Sequence, residues 1–328
     1  MSARPNLLKL RFLTAFRSFR VFPFVLVRAG LNTFNPSIAM RDGEIVFCVR
    51  HSNVLVIANR GYFGFTSAIA GNAREVVNET SFGRLRIPEW GEALDCALFE
   101  SSLSGFEDIR IFEHAARWYG IGCKPQVDIV NGAPTFAGSA MQLIAFKTDF
   151  LLGGAMELPS PTGARWEKNW VPFQKKEGLY LVYRPSPLIA FALDFERQSI
   201  TPAHQGRGAK ADWSGASEAI WSGVSQIAWS GSSQIVPYEE GTYLGVIHRK
   251  FEYANEIVFE HAFIRINAAF EVEISQGFHF LTFGEEFCAG LVARPDDVVL
   301  SFGSHSDSRC YIATLAREDV AALFGPTR

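Results

Sequence analysis

Five times along the 328-residue chain a short polar signature leads into an apolar strand, a tight turn and a second strand. The first is Asn35-Pro36-Ser37-Ile38, closed by Arg50, and the second is Glu107-Asp108-Ile109-Arg110. Next come Glu167-Lys168-Asn169-Trp170, closed by Arg184, and Gly231-Ser232-Ser233-Gln234, closed by His248. The last is Glu285-Glu286-Phe287, whose hairpin leads into Ser304 to Asp307. Their first residues are 72, 60, 64 and 54 positions apart. Such a period, filled by strands rather than helices, marks a radially repeated all-β fold. In that fold every unit presents the same end to a common axis, so the five signatures meet although they are distant in sequence.

The length fits one five-bladed β-propeller over residues 33–328, preceded by a short N-terminal arm at 1–32. Abundant Phe (29) and Gly (28) suit aromatic strands separated by glycine turns. A formal charge of −3 argues against a nucleic-acid-binding face, which would be concentrated and basic. The five cysteines, Cys48, Cys96, Cys123, Cys288 and Cys310, form no CxxC pair and no metal-like spacing. An odd count in a chain this long reads as reduced, buried thiols in the cytoplasm, and no metal or other cofactor is expected.

The first 40 residues contain no acidic residue, while Arg4, Lys9, Arg11, Arg17, Arg20 and Arg28 are basic. The apolar run Val21 to Val27 contains Pro23 and is too short to span a bilayer. Nothing there resembles a secretory signal. The arm is expected to pack on the side of the propeller. Peripheral contact with the inner membrane is the second reading.

Strand signals are sharpest at Gly43 to Val49, Leu179 to Tyr183, Tyr243 to Ile247 and Val298 to Phe302, each next to a turn rich in Gly, Pro or Asp. Helix is expected only in the arm and at Ala316 to Phe324, and Cys310 to Leu315 is expected to complete the first blade. Residues 213–236 carry a tandem octamer beginning at Trp213, Trp221 and Trp229, each followed by Ser-Gly. It reads either as an aromatic platform for a sugar ring or as a duplicated insertion at the rim. Its third copy runs on into the fourth blade, which singles out Ser232, Ser233 and Gln234 as pocket candidates.

Simple alternation places Asp108 and Arg110 on one face of their strand, as a proton donor beside a cation or as a structural ion pair. Lys168 and Asn169 precede an apolar strand and suit contact with a phosphate or a hydroxyl; His248, at a strand end, suits the same task or a plain rim position. Asp307 follows a Gly-Ser-His-Ser bend. GxGxxG, P-loop, HExxH and nucleophile-elbow patterns are all missing from the sequence.

Together these stretches resemble the five-bladed propeller enzymes of glycosidic bonds, nearest the family-130 glycoside phosphorylases and the related β-1,2-mannosyltransferases. The similarity runs from about residue 33 to 315 and continues through Gly245-Val246-Ile247-His248, Glu286-Phe287-Cys288-Ala289-Gly290-Leu291 and Ser301-Phe302-Gly303. It implies that Asp108 is the general acid or base of an inverting reaction, the proton sometimes passing through a substrate hydroxyl. It also implies that Arg50, Arg110, Lys168 and His248 bind phosphate or the leaving group. Asn35, Glu107, Asn169, Ser233, Gln234, Glu286 and Asp307 complete the expected binding set. Two departures stand out: Ile109 replaces the usual Pro or Cys, and Ser230 replaces an Arg before the Gly-Ser element. The lost cation favours a glycosyltransferase that uses a nucleotide-sugar or sugar-phosphate donor in polysaccharide biosynthesis. A glycoside phosphorylase or hydrolase is the alternative, and a non-catalytic carbohydrate-binding propeller is the third reading.

Overall fold

The computed structural model describes residues 11–57, 62–65, 77–89, 92–130, 133–195, 197, 199–206, 228–253, 256–305 and 308–325. These form five antiparallel sheets set around an axis, with a small two-stranded ribbon (Val54–Ile57 and Tyr62–Phe65) inserted in the first. From the axis outward, blade one is Asn32–Arg41, Glu44–Ser52, Asn78–Arg86 and Asp95–Ser104. Blade two is Glu107–His114, Arg117–Val130, Ala133–Phe146 and Leu152–Glu157. Blade three is Val171–Lys175, Gly178–Pro185, Leu188–Asp194 and Ser199–Gln205. In blade four Ser230–Gly231 and Val236–Glu239 share the inner edge of Thr242–Tyr253, followed by Glu256–Asn267 and Val272–Ile274. Blade five is Phe287–Ala293, Asp297–Ser304 and Arg309–Ala316, with Arg20–Phe24 outermost.

That last pairing corrects two expectations. Arg309–Ala316 is the third strand of blade five, not a strand of blade one, and the ring is closed by residues 20–24 of the arm, in register Phe22 opposite Ile312. Part of the supposed arm is therefore a blade strand. Pro23 is tolerated because the strand is an edge, where one missing N–H costs no ladder bond. Nor is the described arm α-helical: it holds one 3-10 turn, Leu13–Ala15, whose Leu13 N–H donates to His279 O at 2.9 Å. The C-terminal helix appears as expected, at Arg317–Phe324, with Val320 and Leu323 buried. Among the described residues no helix is long and apolar enough to cross a membrane.

The core is divided among five seams, one between each pair of neighbouring blades. Successive residues of one strand feed opposite seams: Phe47 and Val49 face blade five, whereas Val46 and Cys48 face blade two. Inner strands buried on both faces read as continuous apolar runs, and aromatic rings fill the wedges. Phe280 stacks on Phe302 at 4.3 Å, Phe82 on Phe150 at 5.0 Å, and Phe24 meets Phe47 edge-on at 5.0 Å.

Near the axis the blades are tied by side-chain hydrogen bonds to backbone. Ser37 Oγ accepts from Ile111 N at 3.2 Å, Ser232 Oγ donates to Cys288 O at 2.6 Å, and Ser301 Oγ to Pro36 O at 2.5 Å. Gln234 Nε2 reaches two other blades at once, donating to Ile38 O and, at 2.9 Å, to Leu291 O. The Phe173–Ile235 bridge between blades three and four is parallel, as expected when the inner strands all start at the same end of the axis.

Candidate active site

The signatures of blades one to three gather at that end through a shared backbone device. Asn35, Asp108 and Asn169 all lie in the left-handed region, at φ of 51°, 47° and 62°. Asn and Asp are the non-glycine residues that tolerate this conformation best. The ladder slips at two of these places, between Phe34 and Ser37 and between Glu107 and Arg110. Each slip is a bulge that re-aims the side chains beside it.

The bulge overturns simple alternation at Asp108. Its carboxylate does not pair with Arg110. Its Oδ1 accepts from Asn35 Nδ2 at 3.0 Å and from Arg50 Nη1 at 3.2 Å. Oδ2 accepts no hydrogen bond from the described residues, and the side chain is 19% exposed. Arg110 is buried and its guanidinium is directed elsewhere, to Ser232 O at 2.6 Å, Asp108 O at 3.0 Å and Asn169 Oδ1 at 3.1 Å. It therefore positions the Asp108 backbone rather than the carboxylate.

Glu107 is the buried hub. Arg50 Nη2 donates to its Oε1 at 2.7 Å and Lys168 Nζ to its Oε2 at 2.9 Å. Asn78, which no sequence motif marks, completes the hub: its Oδ1 accepts from Arg50 Nε at 2.9 Å while its Nδ2 faces Glu107 Oε1 at 3.5 Å. It lies on the third strand of blade one, outside any repeated signature, so only strand pairing brings it here.

Burial pushes both carboxyls up, but the charges of Arg50 and Lys168 outweigh it and hold Glu107 and Asp108 below their ordinary values. The Asn35 donor adds to this at Asp108. For Lys168 burial acts downward, and the Glu107 charge overcomes it and holds the ammonium well above its usual range. Arg50, Arg110 and Lys168 against Glu107 and Asp108 make three cations and two carboxylates, one net positive charge among these groups.

The other expected site residues have different places. Ser233 is fully buried, with its Oγ accepting from Val246 N at 2.8 Å and donating to Gln234 O at 2.9 Å. Gln234 is the cross-blade tie described above. Both belong to the scaffold. Glu286 is also a scaffold group, accepting from the backbone N–H groups of Phe280, Leu281 and Thr282 and from Ser304 Oγ at 3.0 Å. His248 is buried against Phe259 and Phe287, and burial, with the Arg110 charge, brings its pKa down to about 3. It is neutral at physiological pH and cannot serve as a phosphate-binding cation. Asp307 lies outside the described residues, as do residues 213–227 of the Trp repeat. Trp229 is described, with the Arg249 guanidinium 5.0 Å from its ring. Cys48, Cys123 and Cys288 sit beneath the cluster as buried thiols; burial pushes Cys123 and Cys288 up to about 12. Among the described residues no group of three or more His, Cys, Asp or Glu side chains is arranged to hold a metal ion.

No known protein family matches the chain, and no curated protein is significantly similar to it in sequence. Solved structures are similar in fold. A β-1,2-mannobiose phosphorylase from Listeria innocua aligns with a TM-score of 0.53 and 13% identity over 93% of this chain and 96% of its own. A structure representing the family-130 mannoside phosphorylases and their hydrolases of β-1,2-mannosidic linkages in Candida mannan aligns at 0.49 and 13%, over 88% and 85%. A family-43 enzyme from Xanthomonas citri complexed with xylose aligns at 0.49 and 10%, over 92% and 91%. At such identities the likeness to the first establishes the five-bladed propeller fold, and the other two add no weight.

Proposed function

We propose that this propeller is an inverting enzyme acting at the anomeric carbon of a sugar, with Asp108 moving the proton. The observation that carries the reading is the asymmetry of the carboxylate. Asn35 and Arg50 fix Oδ1, while Oδ2 is left without a described partner on a partly exposed side chain. A positioned but incompletely satisfied carboxylate is what proton transfer to or from a bound hydroxyl requires.

Both described partners of the Asp108 carboxylate are donors and the Arg50 and Lys168 charges favour its ionised form, so the resting group is ionised and is poised as a base. It would take the proton of an acceptor hydroxyl as that oxygen bonds to the anomeric carbon. The bond from that carbon to its leaving group breaks in the same step. A phosphate-activated donor suits this state, because its leaving group departs as an anion and needs no proton. The excess positive charge of the cluster would stabilise that departing anion. Glycosyl transfer to a glycan hydroxyl is therefore the reading we favour.

Phosphorolysis or hydrolysis is the second reading, supported by the fold likeness to the Listeria innocua mannobiose phosphorylase. There Asp108 would first have to gain a proton and then give it to the departing glycosidic oxygen.

A mass-spectrometric panel separates the two. Nucleotide sugars and sugar 1-phosphates would be offered with mixed glycan acceptors, and β-linked oligosaccharides with and without inorganic phosphate. Product from an activated donor supports transfer; phosphate-dependent or water-dependent cleavage supports the second reading. In either case Asp108→Asn should lower turnover by roughly 100- to 10,000-fold, the usual span of general acid–base catalysis. Undiminished turnover in that variant would remove Asp108 from the chemistry. A lack of product from every substrate would favour a carbohydrate-binding propeller.

A further inference from the structure

Arg50 reaches Glu107 at 2.7 Å, Asn78 at 2.9 Å and Asp108 at 3.2 Å, the last being the longest of the three. The backbone ladder beside it is interrupted. Between Asn32–Arg41 and Glu44–Ser52 the rungs run from Phe34 opposite Arg50 to Ser37 opposite Cys48, so Asn35 and Pro36 have none. A bulge of this kind loosens the register locally. Three neighbouring strands carry Asn35, Arg50 and Asn78, and the ladder at the bulge does not by itself hold them in line.

His51, the residue after Arg50, ties these strands from behind. Strand alternation sends the Arg50 side chain towards blade two and that of His51 to the opposite face. The buried ring has a partner at each nitrogen: Nδ1 lies 2.8 Å from Thr33 Oγ1 and Nε2 lies 2.9 Å from Ser81 Oγ. The Thr33 hydroxyl donates its one hydrogen to Leu26 O at 2.9 Å, so Nδ1 carries a proton and donates to Thr33. Burial and the Arg28 charge bring the ring down to about 4, against the pull of Glu79. It is therefore neutral, and Nε2 accepts from the Ser81 hydroxyl. The ring joins Thr33, two residues before Asn35, to Ser81, three residues after Asn78. Leu26 extends the tie to the segment that follows the ring-closing strand Arg20–Phe24. From that segment Arg28 Nη2 also donates at 2.8 Å to Glu79, which lies directly opposite His51 in the ladder.

We propose that His51 is a positioning residue for the active site, aligning the strands of Asn35, Arg50 and Asn78 and so setting the Arg50 guanidinium against Asp108. The inference rests on the reading of Asp108 as the group that moves the proton. His51 acts through Arg50, since its own side chain lies on the other face of the sheet. Cutting its ties frees the strand ends on either side of the bulge, and the longest of the three Arg50 contacts, that to Asp108, is the first to weaken. Asp108 then loses support for its ionised form. A plain packing role for His51 predicts lost stability alone.

The test is a double-mutant cycle on the whole chain, read first without substrate. His51→Phe keeps a buried ring and removes both hydrogen bonds. NMR titration of the Asp108 carboxyl should place it about one pH unit higher in this variant than in the wild type, within the roughly one to three that an adjacent guanidinium confers. With Arg50→Gln already present, His51→Phe should move Asp108 no further. Ser233→Ala, which removes a buried hydrogen bond in blade four, should leave Asp108 where it is. Turnover of the substrate found by the panel should fall roughly 10- to 100-fold in His51→Phe, the usual cost of a small misplacement. An unmoved Asp108 in folded His51→Phe would overturn the proposal, as would an equal rise in Ser233→Ala or a further rise on top of Arg50→Gln. If His51→Phe or Arg50→Gln does not fold, Ser81→Ala and Thr33→Val each cut one tie and should each give part of the rise; no rise in either would overturn it. Undiminished turnover in Asp108→Asn would instead remove the reading of Asp108, while the substrate-free titration still decides whether His51 sets Arg50 against it.

Discussion

Blades two and four begin with equivalent signatures and use them in opposite ways. In blade two a left-handed Asp108 at a bulge turns its carboxylate to Asn35 and Arg50 with one oxygen left over. In blade four Ser232, Ser233 and Gln234 are buried and their donors all end on backbone carbonyls. The imidazole that closes the blade-four hairpin, His248, is sealed among aromatic rings and uncharged. Position in the repeat is therefore no measure of function. What separates the two is whether the local backbone presents the polar group to the opening or folds it back into a seam.

The contrast can be broken most forcefully at Arg50. Arg50→Gln should cost about 3–5 kcal/mol, because it leaves buried Glu107 with Lys168 as its remaining cationic partner. Chemical denaturation measures this, and a loss below about 1 kcal/mol would mean that the cluster is as solvated as a surface ion pair. The same variant should bring the Asp108 pKa back towards its ordinary value, moving the acidic limb of the pH–activity profile upward.

Ser233→Ala tests the other side. It strips Val246 N of its buried acceptor, which should cost about 1–3 kcal/mol while turnover is unchanged. A tenfold fall in turnover with full stability would return Ser233 to the pocket and erase the distinction between the blades.

A change of pH sharpens the comparison. Burial lowers His51 to about 4, with help from the Arg28 charge, and His248 to about 3. The unfolded chain protonates these rings near pH 6.5, so it binds more protons than the native state as pH falls. Their contribution is complete above that value and is lost below it, by up to about 1.4 kcal/mol per pH unit for each ring. Glu107 and Asp108 are also depressed, so their contribution falls only below the ordinary carboxylate range. Urea unfolding at pH 7 and pH 5 should thus report the histidines with the charged cluster still intact. The raised carboxyls of Glu167, Glu285 and Glu286 act in the opposite sense, so His248→Gln isolates the ring, and a pH dependence unchanged in that variant would show that the ring is hydrated in the native state.

Much of this was legible in the chain itself. The hairpins at Glu44–Ser52, Gly178–Pro185 and Asp297–Ser304 follow from alternation and turn residues, which are local properties. The recurrence of the signatures determined that five sheets share an axis and that Asn35, Asp108, Lys168 and Asn169 come to one end of it. The tertiary structure alone decided three things. It paired Asp108 with Arg50 instead of Arg110, because a bulge breaks the period of two and its presence depends on the partner strand. It recruited Asn78, which carries no motif and reaches Glu107 through cross-strand register. It closed the ring with Arg20–Phe24, a short segment interrupted by proline whose pairing needs the free edge of a strand almost 290 residues away. Local chemistry writes strands and turns; which edges and side chains meet is a matter of long-range packing, and no window of sequence contains it.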